Sequence, residues 1–282
     1  MLYFVPVDSI FIGIAGGSGS GKTYLAKQLV EHGGSSNVAM ISMDQYFLTE
    51  AASDAHSVNF DHPAHLDLRQ LVRDLETLRA GHSIEAPDYD FRRMRRRDKT
   101  IRVDPRPIVV VEGLFVLAEP IVRQFDVTCF LDVEVDQRLL GRILRDIKER
   151  DAGIEKTIDR YQRFVRPSYN VFVAPTKQNA DVVVDFTYRR SLFSGLLQLL
   201  IQDFVNEGLT LQSFVQKVRS EHYGLGYSPD DAIMPMAVDI FRLAEAYPES
   251  TLPALVPETP PEEPTLFVEK ISRTAGEDST NS

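Results

Sequence analysis

The sequence predicts an α/β fold, a doubly wound parallel sheet with helices on both faces and a small C-terminal helical extension. Short apolar segments alternate with amphipathic helical segments over residues 1–188, an order typical of parallel sheets. One apolar segment, Ile108 to Val111, contains only β-branched residues, as expected for a strand that is covered on both sides. A glycine-rich loop joins the first apolar segment to the first helical one.

Hydrophobic periodicity places the individual elements. The segments predicted to form strands are Phe11–Ala15, Val38–Met43, Ile108–Val111, Val127–Val133 and Asp181–Phe186. The segments predicted to form helices are Lys22–Glu31, Leu68–Ala80 and Gln137–Asp151. In the last of these helices, apolar side chains spaced by three or four positions are expected to face inward. They are Leu139, Leu140, Ile143, Leu144 and Ile147.

The composition divides the chain into three parts. Residues 1–188 are expected to form the α/β domain. Residues 189–247 are expected to form the helical extension, because 191–207, 210–222 and 229–247 each have amphipathic spacing. Proline, glutamate, serine and threonine dominate residues 248–282, which are predicted to be a disordered tail.

Composition and charge argue against several classes of protein. The net charge is -10, whereas binding to nucleic acid requires a basic face, so no nucleic-acid partner is expected. No apolar stretch reaches the roughly 18 residues of a membrane span, so no membrane association is expected. The single cysteine, Cys129, lies in an apolar run and cannot form an internal disulfide, which fits a cytoplasmic location.

The glycine loop has the pattern G-x-x-x-x-G-K-[ST], which is typical of P-loop proteins that bind nucleotide phosphates. Glycines let successive backbone N–H groups point at phosphate oxygens, and the following helix adds a favourable dipole. Lys22 is expected to reach the β- and γ-phosphates, and the Thr23 hydroxyl is expected to bind Mg²⁺. The flanking strand and helix favour this interpretation over a flexible linker. The predicted nucleotide-binding residues are Gly16, Gly17, Ser18, Gly19, Ser20, Gly21, Lys22 and Thr23.

Two carboxylates follow predicted strands, at the edge where open α/β sheets bind their ligands. Glu112 follows the β-branched run and is predicted to be a second group on the Mg²⁺ side; the alternative is a helix cap. Asp44 follows the second strand and is predicted to accept the proton of a hydroxyl that attacks the γ-phosphate. The alternative for Asp44 is a turn-forming aspartate.

Further blocks occur in a fixed order beyond the phosphate loop. They are Asn-Phe-Asp-His-Pro at 59–63, Pro-Asp-Tyr-Asp-Phe at 87–91, the arginine-containing segment Arg138–Arg150, and Pro-Thr-Lys followed by Ala-Asp between 175 and 181. With them, the chain resembles the uridine kinase branch of the phosphoribulokinase/uridine kinase family over about residues 8–186. The resemblance implies a doubly wound core, ATP or GTP as donor, and transfer to a ribose 5′-hydroxyl. It also implies a homo-oligomer.

The resemblance carries roles to matching positions. Asp44 matches the catalytic base, Asp61 the carboxylate that holds ribose hydroxyls, and Tyr89 an aromatic residue of the nucleoside site. Arg142 matches a substrate-side arginine, for which a solvated helix with ion pairs such as Arg145 with Glu149 is the alternative. The lid arginines expected at the transferring phosphate are Arg145 and Arg150.

The chain departs from the uridine kinase pattern on the acceptor side. At three positions this chain has a different residue from the family. Met94 replaces a histidine that reads the pyrimidine edge, Ala152 replaces an arginine, and Arg160 replaces a glutamine. The sequence therefore leaves three classes of acceptor open, which are a nucleoside, a phosphorylated sugar and another small hydroxylated metabolite. The arginine-rich run Arg92–Arg97 is interpreted as a solvated hairpin, with recognition of an anionic acceptor or of nucleic acid as alternatives.

The sequence thus predicts a Mg²⁺-dependent phosphotransferase of the uridine kinase type. Two rival hypotheses remain. One is a sugar-phosphate kinase resembling phosphoribulokinase, and the other is a nucleotide-binding regulator that has lost acceptor chemistry. The predicted partners are a nucleoside triphosphate and a small-molecule acceptor.

Overall fold

The computed structural model describes residues 9–48, 58–150, 152–187, 195, 201, 213, 216, 240–246 and 248. Five parallel strands form the central sheet, with the bounds β1 Ile10–Gly16, β2 Val38–Ser42, β7 Ile108–Glu112, β8 Val127–Asp132 and β9 Val182–Asp185. Their order across the sheet is β2-β7-β1-β8-β9. Two antiparallel pairs complete the strands, β3 Ile84–Ala86 with β6 Ile101–Val103, and β4 Tyr89–Asp90 with β5 Arg95–Arg96.

Helices follow the strands along the chain. They are α1 Lys22–Gly33, α2 Leu68–Arg79, α3 Val135–Arg150, α4 Ile154–Arg160, α5 Arg166–Ser168 and α6 Ile240–Ala246. Two π-helical turns, Tyr161–Val165 and Tyr169–Val173, flank α5, and short 3₁₀ turns form at Met43–Tyr46, Pro63–His65, Ile121–Gln124 and Ala174–Asn179. Within the described residues, every helix is too short or too polar to cross a bilayer.

Apolar cores lie on both faces of the central sheet. On one face, Leu25, Ala26 and Leu29 of α1 pack against β-branched residues of the strands. On the other face, one side of α2 is buried in the core. Its buried residues are Leu68, Leu71, Leu75 and Leu78. The predicted α/β class with a doubly wound parallel sheet is therefore confirmed. The predicted helices at 191–207 and 210–222 and the tail lie almost wholly outside the described residues.

Helix α3 is buried on the side opposite to the one predicted. Leu140, Leu144 and Ile147 are 53%, 58% and 42% exposed, so the expectation that they face inward is wrong. The buried residues of α3 are Arg138, Arg142 and Asp146, spaced at four-residue intervals. Periodicity identified the helix and its two faces. It chose the wrong face because this helix packs its charged stripe against the phosphate loop instead of an apolar core.

Residues beyond 188 contribute to both cores. Ile201 is buried with Val38 on the α1 side of the sheet. Ile240 is buried in the other core, and its backbone N–H donates a hydrogen bond to the Glu119 carbonyl at 2.9 Å. Helix α6 contacts the turn Pro63–His65 and the π-helical turn Tyr169–Val173. Helix α6 therefore packs against the turn that follows Asp61.

Replacing Ile240 with alanine is expected to lower the free energy of unfolding by about 2–4 kcal/mol, because a fully buried side chain leaves a cavity. Urea unfolding measures the change. The control is Glu245→Ala on the exposed side of the same helix, which is expected to change it by less than about 0.5 kcal/mol. Equal effects from the two substitutions would show that α6 does not support the core.

Candidate active site

The phosphate loop connects β1 to α1. Gly19 has a φ of 83°, which glycine adopts without strain. Lys22 is buried, and its Nζ donates a hydrogen bond to the Gly17 carbonyl at 3.0 Å. Burial lowers the pKa of Lys22, while the carboxylates of Glu112 and Asp44 act in the opposite direction. The lysine side chain is therefore folded over its own loop, within electrostatic reach of both carboxylates.

Helix α3 packs against the phosphate loop so closely that a β-carbon does not fit. A Cβ atom at Gly17 would lie 2.4 Å from Arg138 Nη1, and one at Gly19 would lie 2.1 Å from the Arg138 carbonyl oxygen. From the helix side, a Cβ atom at Gly141 would lie 2.8 Å from the Gly19 carbonyl oxygen. The Arg138 guanidinium stacks on the Tyr169 ring at 3.8 Å. This backbone contact fixes the side chains of α3 relative to the loop.

Glu112 lies at the end of β7 and is surrounded by hydroxyl groups. Its Oε1 accepts hydrogen bonds from Thr23 Oγ1 at 3.1 Å and from Ser42 Oγ at 2.6 Å. Burial and the charge of Asp44 raise the pKa of Glu112, and Lys22 opposes them. Ser42 was not among the sequence candidates. It occupies the last position of β2, and the register of the sheet places it beside Glu112.

The Thr23 and Glu112 oxygens fit a Mg²⁺ ion. Neighbouring oxygen ligands of octahedral Mg²⁺ lie about 2.9 Å apart, close to the 3.1 Å between Thr23 Oγ1 and Glu112 Oε1. In the described part of the chain, no group of three or more His, Cys, Asp and Glu side chains could hold a metal. The remaining ligands of such an ion would be phosphate oxygens and water, as is usual for Mg²⁺ at nucleotide sites.

Asp44 lies in the 3₁₀ turn that follows β2. The turn is closed by the backbone N–H of Ser42, which donates to Gln45 Oε1 at 3.0 Å. Asp44 is half-buried and faces a cleft, here called the inner cleft, together with Lys22 and Asp61. The inner cleft is lined by Ser18, Lys22, Thr23, Asp44, Phe47, Phe60, Asp61, Phe91, Glu112, Leu114, Arg142, Arg145 and Arg150.

Asp146 holds the arginines of α3 together. Its carboxylate lies 2.9 Å from Arg145 Nη2, 3.3 Å from Arg142 Nε and 3.8 Å from Arg150 Nε. Burial alone would raise the pKa of Asp146, but the three guanidinium groups outweigh it and hold that pKa below its usual value. Arg145 thus pairs with Asp146, which differs from the Arg145–Glu149 pair of the solvated-helix alternative. Asp146 was not a sequence candidate.

Arg142 links the phosphate loop to Asp61. Its Nη1 donates to Ser18 Oγ at 2.7 Å and lies 3.4 Å from Asp61 Oδ2. The backbone N–H of Asp61 donates to Asn59 Oδ1 at 3.1 Å, and Asn59 Nδ2 donates to Ser168 Oγ at 2.9 Å. Asp61 and the phosphate loop are therefore held in one buried network.

Arg150 lies at the end of α3, over the Phe91 ring at 4.2 Å. Burial and the charge of Arg145 lower the pKa of Arg150 to about 10. The side chain therefore keeps its positive charge at neutral pH. Both predicted lid arginines line the inner cleft beside Asp44.

A second cavity of about 520 Å³ adjoins the inner cleft and is called the acceptor cavity here. The two share the lining residues Phe60, Phe91, Arg142 and Arg150. The remaining residues of the acceptor cavity are Arg92, Met94, Asp146, Ile147, Lys148, Ala152, Lys156, Thr157 and Arg160. All three departures from the uridine kinase pattern, Met94, Ala152 and Arg160, thus line one cavity.

Tyr89 is placed differently from the other candidates. It is buried, and its ring packs 5.4 Å from Phe47 and 5.1 Å from Phe91, between ring centroids. It lines neither the inner cleft nor the acceptor cavity. In this structure, Tyr89 supports the aromatic residues that line the site.

The arginine run forms a hairpin between β4 and β5, and two of its arginines serve that hairpin. Arg96 donates to the Phe47 carbonyl at 2.8 Å and to the Tyr46 carbonyl at 3.1 Å. Arg97 lies 3.2 Å from Asp88. Arg96 therefore ties the hairpin to the end of the turn that carries Asp44.

Arg96→Ala is expected to lower the free energy of unfolding by about 2–3 kcal/mol, because two backbone carbonyls lose charge-assisted hydrogen bonds. Urea unfolding tests this expectation. Arg95→Ala, at the exposed neighbouring position, serves as the control and is expected to cost less than about 0.5 kcal/mol. A similar small cost for both variants would remove the anchoring role of Arg96.

The parallel sheet and the glycine loop at the start of α1 define a P-loop nucleotide-binding protein, and the second cavity adjoins the cleft that this loop lines. Residues 11–191 match the model of the Phosphoribulokinase / Uridine kinase family, which covers more than half of the chain. The chain belongs to this family, and it is a kinase. The resemblance predicted from the sequence is confirmed.

Several relatives and solved structures are similar to the chain. A uridine kinase of Clostridium perfringens is 40% identical over 179 residues, covering 62% of this chain and 86% of the relative. A uridine kinase of Macrococcus caseolyticus is 36% identical over 198 residues, covering 69% and 96%. The structure of phosphoribulokinase from Rhodobacter spheroides has a TM-score of 0.47 at 15% identity, covering 63% of this chain and 70% of that one.

Proposed function

We propose that the chain transfers the γ-phosphoryl group of ATP or GTP, with Mg²⁺, to the 5′-hydroxyl of a uridine- or cytidine-like nucleoside. The observation that carries this proposal is the inner cleft, where the phosphate loop, Asp44 and Asp61 line one continuous space. The relatives named uridine kinase, at 36–40% identity, support a nucleoside as acceptor.

In the proposed mechanism Asp44 accepts the proton of the attacking hydroxyl. The carboxylate lies just after the C-terminal end of β2 and lines the same cleft as Lys22. A positioned base of this kind orients the hydroxyl for in-line attack and removes its proton as the new P–O bond forms. The leaving group is the nucleoside diphosphate.

Lys22, Arg145 and Arg150 are proposed to stabilise the transferring group. All three are cationic donors that line the inner cleft, and two of them share Asp146 as their carboxylate partner. Guanidinium groups match phosphate oxygens in charge and geometry. In a desolvated cleft such fixed charges act strongly on the negative charge that spreads over the transferred oxygens.

Asp61 and Arg142 are proposed to hold the acceptor sugar, because a buried carboxylate can accept hydrogen bonds from two neighbouring hydroxyls. Thr23 and Glu112 are proposed to hold Mg²⁺, with Ser42 orienting the Glu112 carboxylate through its 2.6 Å hydrogen bond. When bound there, Mg²⁺ would offset the negative charge of the phosphates.

The test is ADP release from MgATP, and GDP release from MgGTP, across a panel of acceptors. The panel contains uridine, cytidine, purine nucleosides, ribulose 5-phosphate and glycerate, with a reaction lacking acceptor as the blank. Turnover with a pyrimidine nucleoside is the expected result. The product should be a 5′-monophosphate by mass spectrometry and by sensitivity to a 5′-nucleotidase.

A sugar-phosphate kinase is the second candidate, favoured by the cations that line the acceptor cavity. Turnover with ribulose 5-phosphate and none with nucleosides would replace the nucleoside proposal with this one. ATP binding without turnover on any acceptor would instead favour a nucleotide-binding regulator.

A further inference from the structure

We propose that helix α6 positions Asp61 for the acceptor, with Ile240 as its principal positioning residue. This inference rests on the proposed function, in which Asp61 holds the acceptor sugar. Residues 11–191 match the family model, and α6 lies beyond them. The acceptor side of this chain would therefore be supported by a segment that the family match does not include.

Helix α6 is fixed to the core at its first two residues. Ile240 is fully buried, and its backbone N–H donates to the Glu119 carbonyl at 2.9 Å. Phe241 packs against the same core, and the Arg69 guanidinium lies 5.7 Å from the centre of its ring. The start of the helix therefore has a defined place in this core.

Two segments that are distant in sequence contact α6. They are the turn Pro63–His65 and the π-helical turn Tyr169–Val173. The segments also meet each other, because the ring of His62, which caps the first, packs edge-on against the Phe172 ring with 4.8 Å between centroids. Phe172 and Ile240 belong to the same apolar core. Helix α6 therefore contacts both members of one packed pair of segments.

Both segments are joined to Asp61. On one side, His62 follows Asp61 directly, and its Nδ1 accepts a hydrogen bond from the Ala64 backbone N–H at 3.1 Å. On the other side, Asn59 Oδ1 accepts from the Asp61 N–H at 3.1 Å. Asn59 Nδ2 donates at 2.9 Å to the Oγ of Ser168, which directly precedes the π-helical turn. A displacement of either segment would therefore be transmitted to the Asp61 backbone.

The turn after Asp61 has a second support that does not involve α6. The Leu48 backbone N–H donates to the His65 carbonyl at 2.8 Å, which joins the turn to the segment that carries Asp44. Loss of the α6 contact is therefore expected to displace Asp61 more than Asp44. Hydrogen bonds weaken steeply with misalignment, so binding of the acceptor should be affected more than the transfer step.

The experiment measures steady-state kinetics of Ile240→Ala in the full chain, with uridine and with cytidine as acceptors. The KM for the nucleoside is expected to rise at least about fivefold, because small displacements of a positioned group weaken the contacts it makes. The KM for MgATP should change by less than about twofold, and kcat by less than about threefold. Ile240→Val leaves a smaller cavity and should keep the nucleoside KM within about twofold of the original.

Ile201→Ala is the matched control. Ile201 also lies beyond the family match and is almost fully buried, but it packs with Val38 in the opposite core. The substitution removes the same atoms and should destabilise the chain comparably, yet it should leave the nucleoside KM unchanged. Phe241→Ala is a second variant on α6 and should raise that KM in the same direction as Ile240→Ala.

Hydrogen–deuterium exchange, read by mass spectrometry, gives a readout that does not require turnover. In folded Ile240→Ala, exchange in residues 58–67 should become faster relative to exchange in the phosphate loop, residues 16–23. Ile201→Ala should leave this ratio unchanged.

An unchanged nucleoside KM in Ile240→Ala, or an equal rise in Ile201→Ala, overturns this inference alone. Absence of turnover with both nucleosides in the unaltered chain overturns the proposed function. The exchange ratio then decides whether α6 holds the turn after Asp61, and equal ratios in Ile240→Ala and Ile201→Ala would overturn that as well.

Discussion

Asp44→Asn is expected to lower kcat for phosphoryl transfer by about 10²–10⁴, the usual contribution of a positioned general base. Asparagine keeps the shape of the side chain but cannot take up the hydroxyl proton. ATP affinity should change by less than about threefold, because the nucleotide phosphates are expected to be held by the phosphate loop and Lys22. Steady-state kinetics with the best acceptor of the panel, together with a direct nucleotide titration, measure both quantities.

The surroundings of Asp44 provide a second readout. Its charge contributes to the raised pKa of Glu112, so its neutralisation should let that pKa fall. Asp98→Asn, at an exposed position between β5 and β6, is the matched control and should leave kcat unchanged. If Asp44→Asn kept more than half of the original kcat, Asp44 would be the turn-forming residue of the alternative interpretation.

Gly19→Ala is expected to lower nucleotide affinity by about a hundredfold or more and the free energy of unfolding by about 2–4 kcal/mol. Alanine is strained at a φ of 83°, and its Cβ would lie 2.1 Å from the Arg138 carbonyl oxygen. That oxygen belongs to the backbone of α3 and cannot rotate away. The loop or the helix would have to move, and the phosphate-binding N–H groups would move with it.

The control for this prediction is Gly153→Ala. Gly153 has a φ of -69°, and a Cβ atom there would meet nothing within 4 Å. The substitution is expected to change the free energy of unfolding by less than about 1 kcal/mol, because the gain from a stiffer unfolded chain is opposed by the poor preference for alanine at the N-cap of α4. A fluorescent nucleotide titration and urea unfolding compare the two variants. If Gly19→Ala behaved like Gly153→Ala, the loop would have free space in solution that the structure does not contain.

The parts of the site that follow from local pattern could be predicted from the sequence. The phosphate loop is a contiguous motif, and Asp44 and Glu112 each follow a recognisable strand. The sheet then brings both carboxylates to one edge, because all its strands run parallel. The predicted bounds of the five central strands agree with the observed bounds to within two residues. These bounds could be predicted because the apolar runs that form the strands end at polar residues or glycines.

The remaining parts depend on contacts between distant segments. Ser42 becomes a partner of Glu112 only through the register of β2 and β7. Arg138 and Gly141 matter because α3 packs against the phosphate loop, which no spacing within α3 reveals. The face of α3 was predicted wrongly because periodicity separates two faces but does not show which one is buried.

The burial of Ile201 and Ile240 on opposite sides of the sheet has a consequence for where the protein can be cut. The family match ends at residue 191, so both isoleucines lie outside it. A chain shortened to that boundary would keep every candidate active-site residue. It would lose one buried isoleucine side chain from each core. The segment that matches the family model therefore does not contain all the residues that fill the two cores.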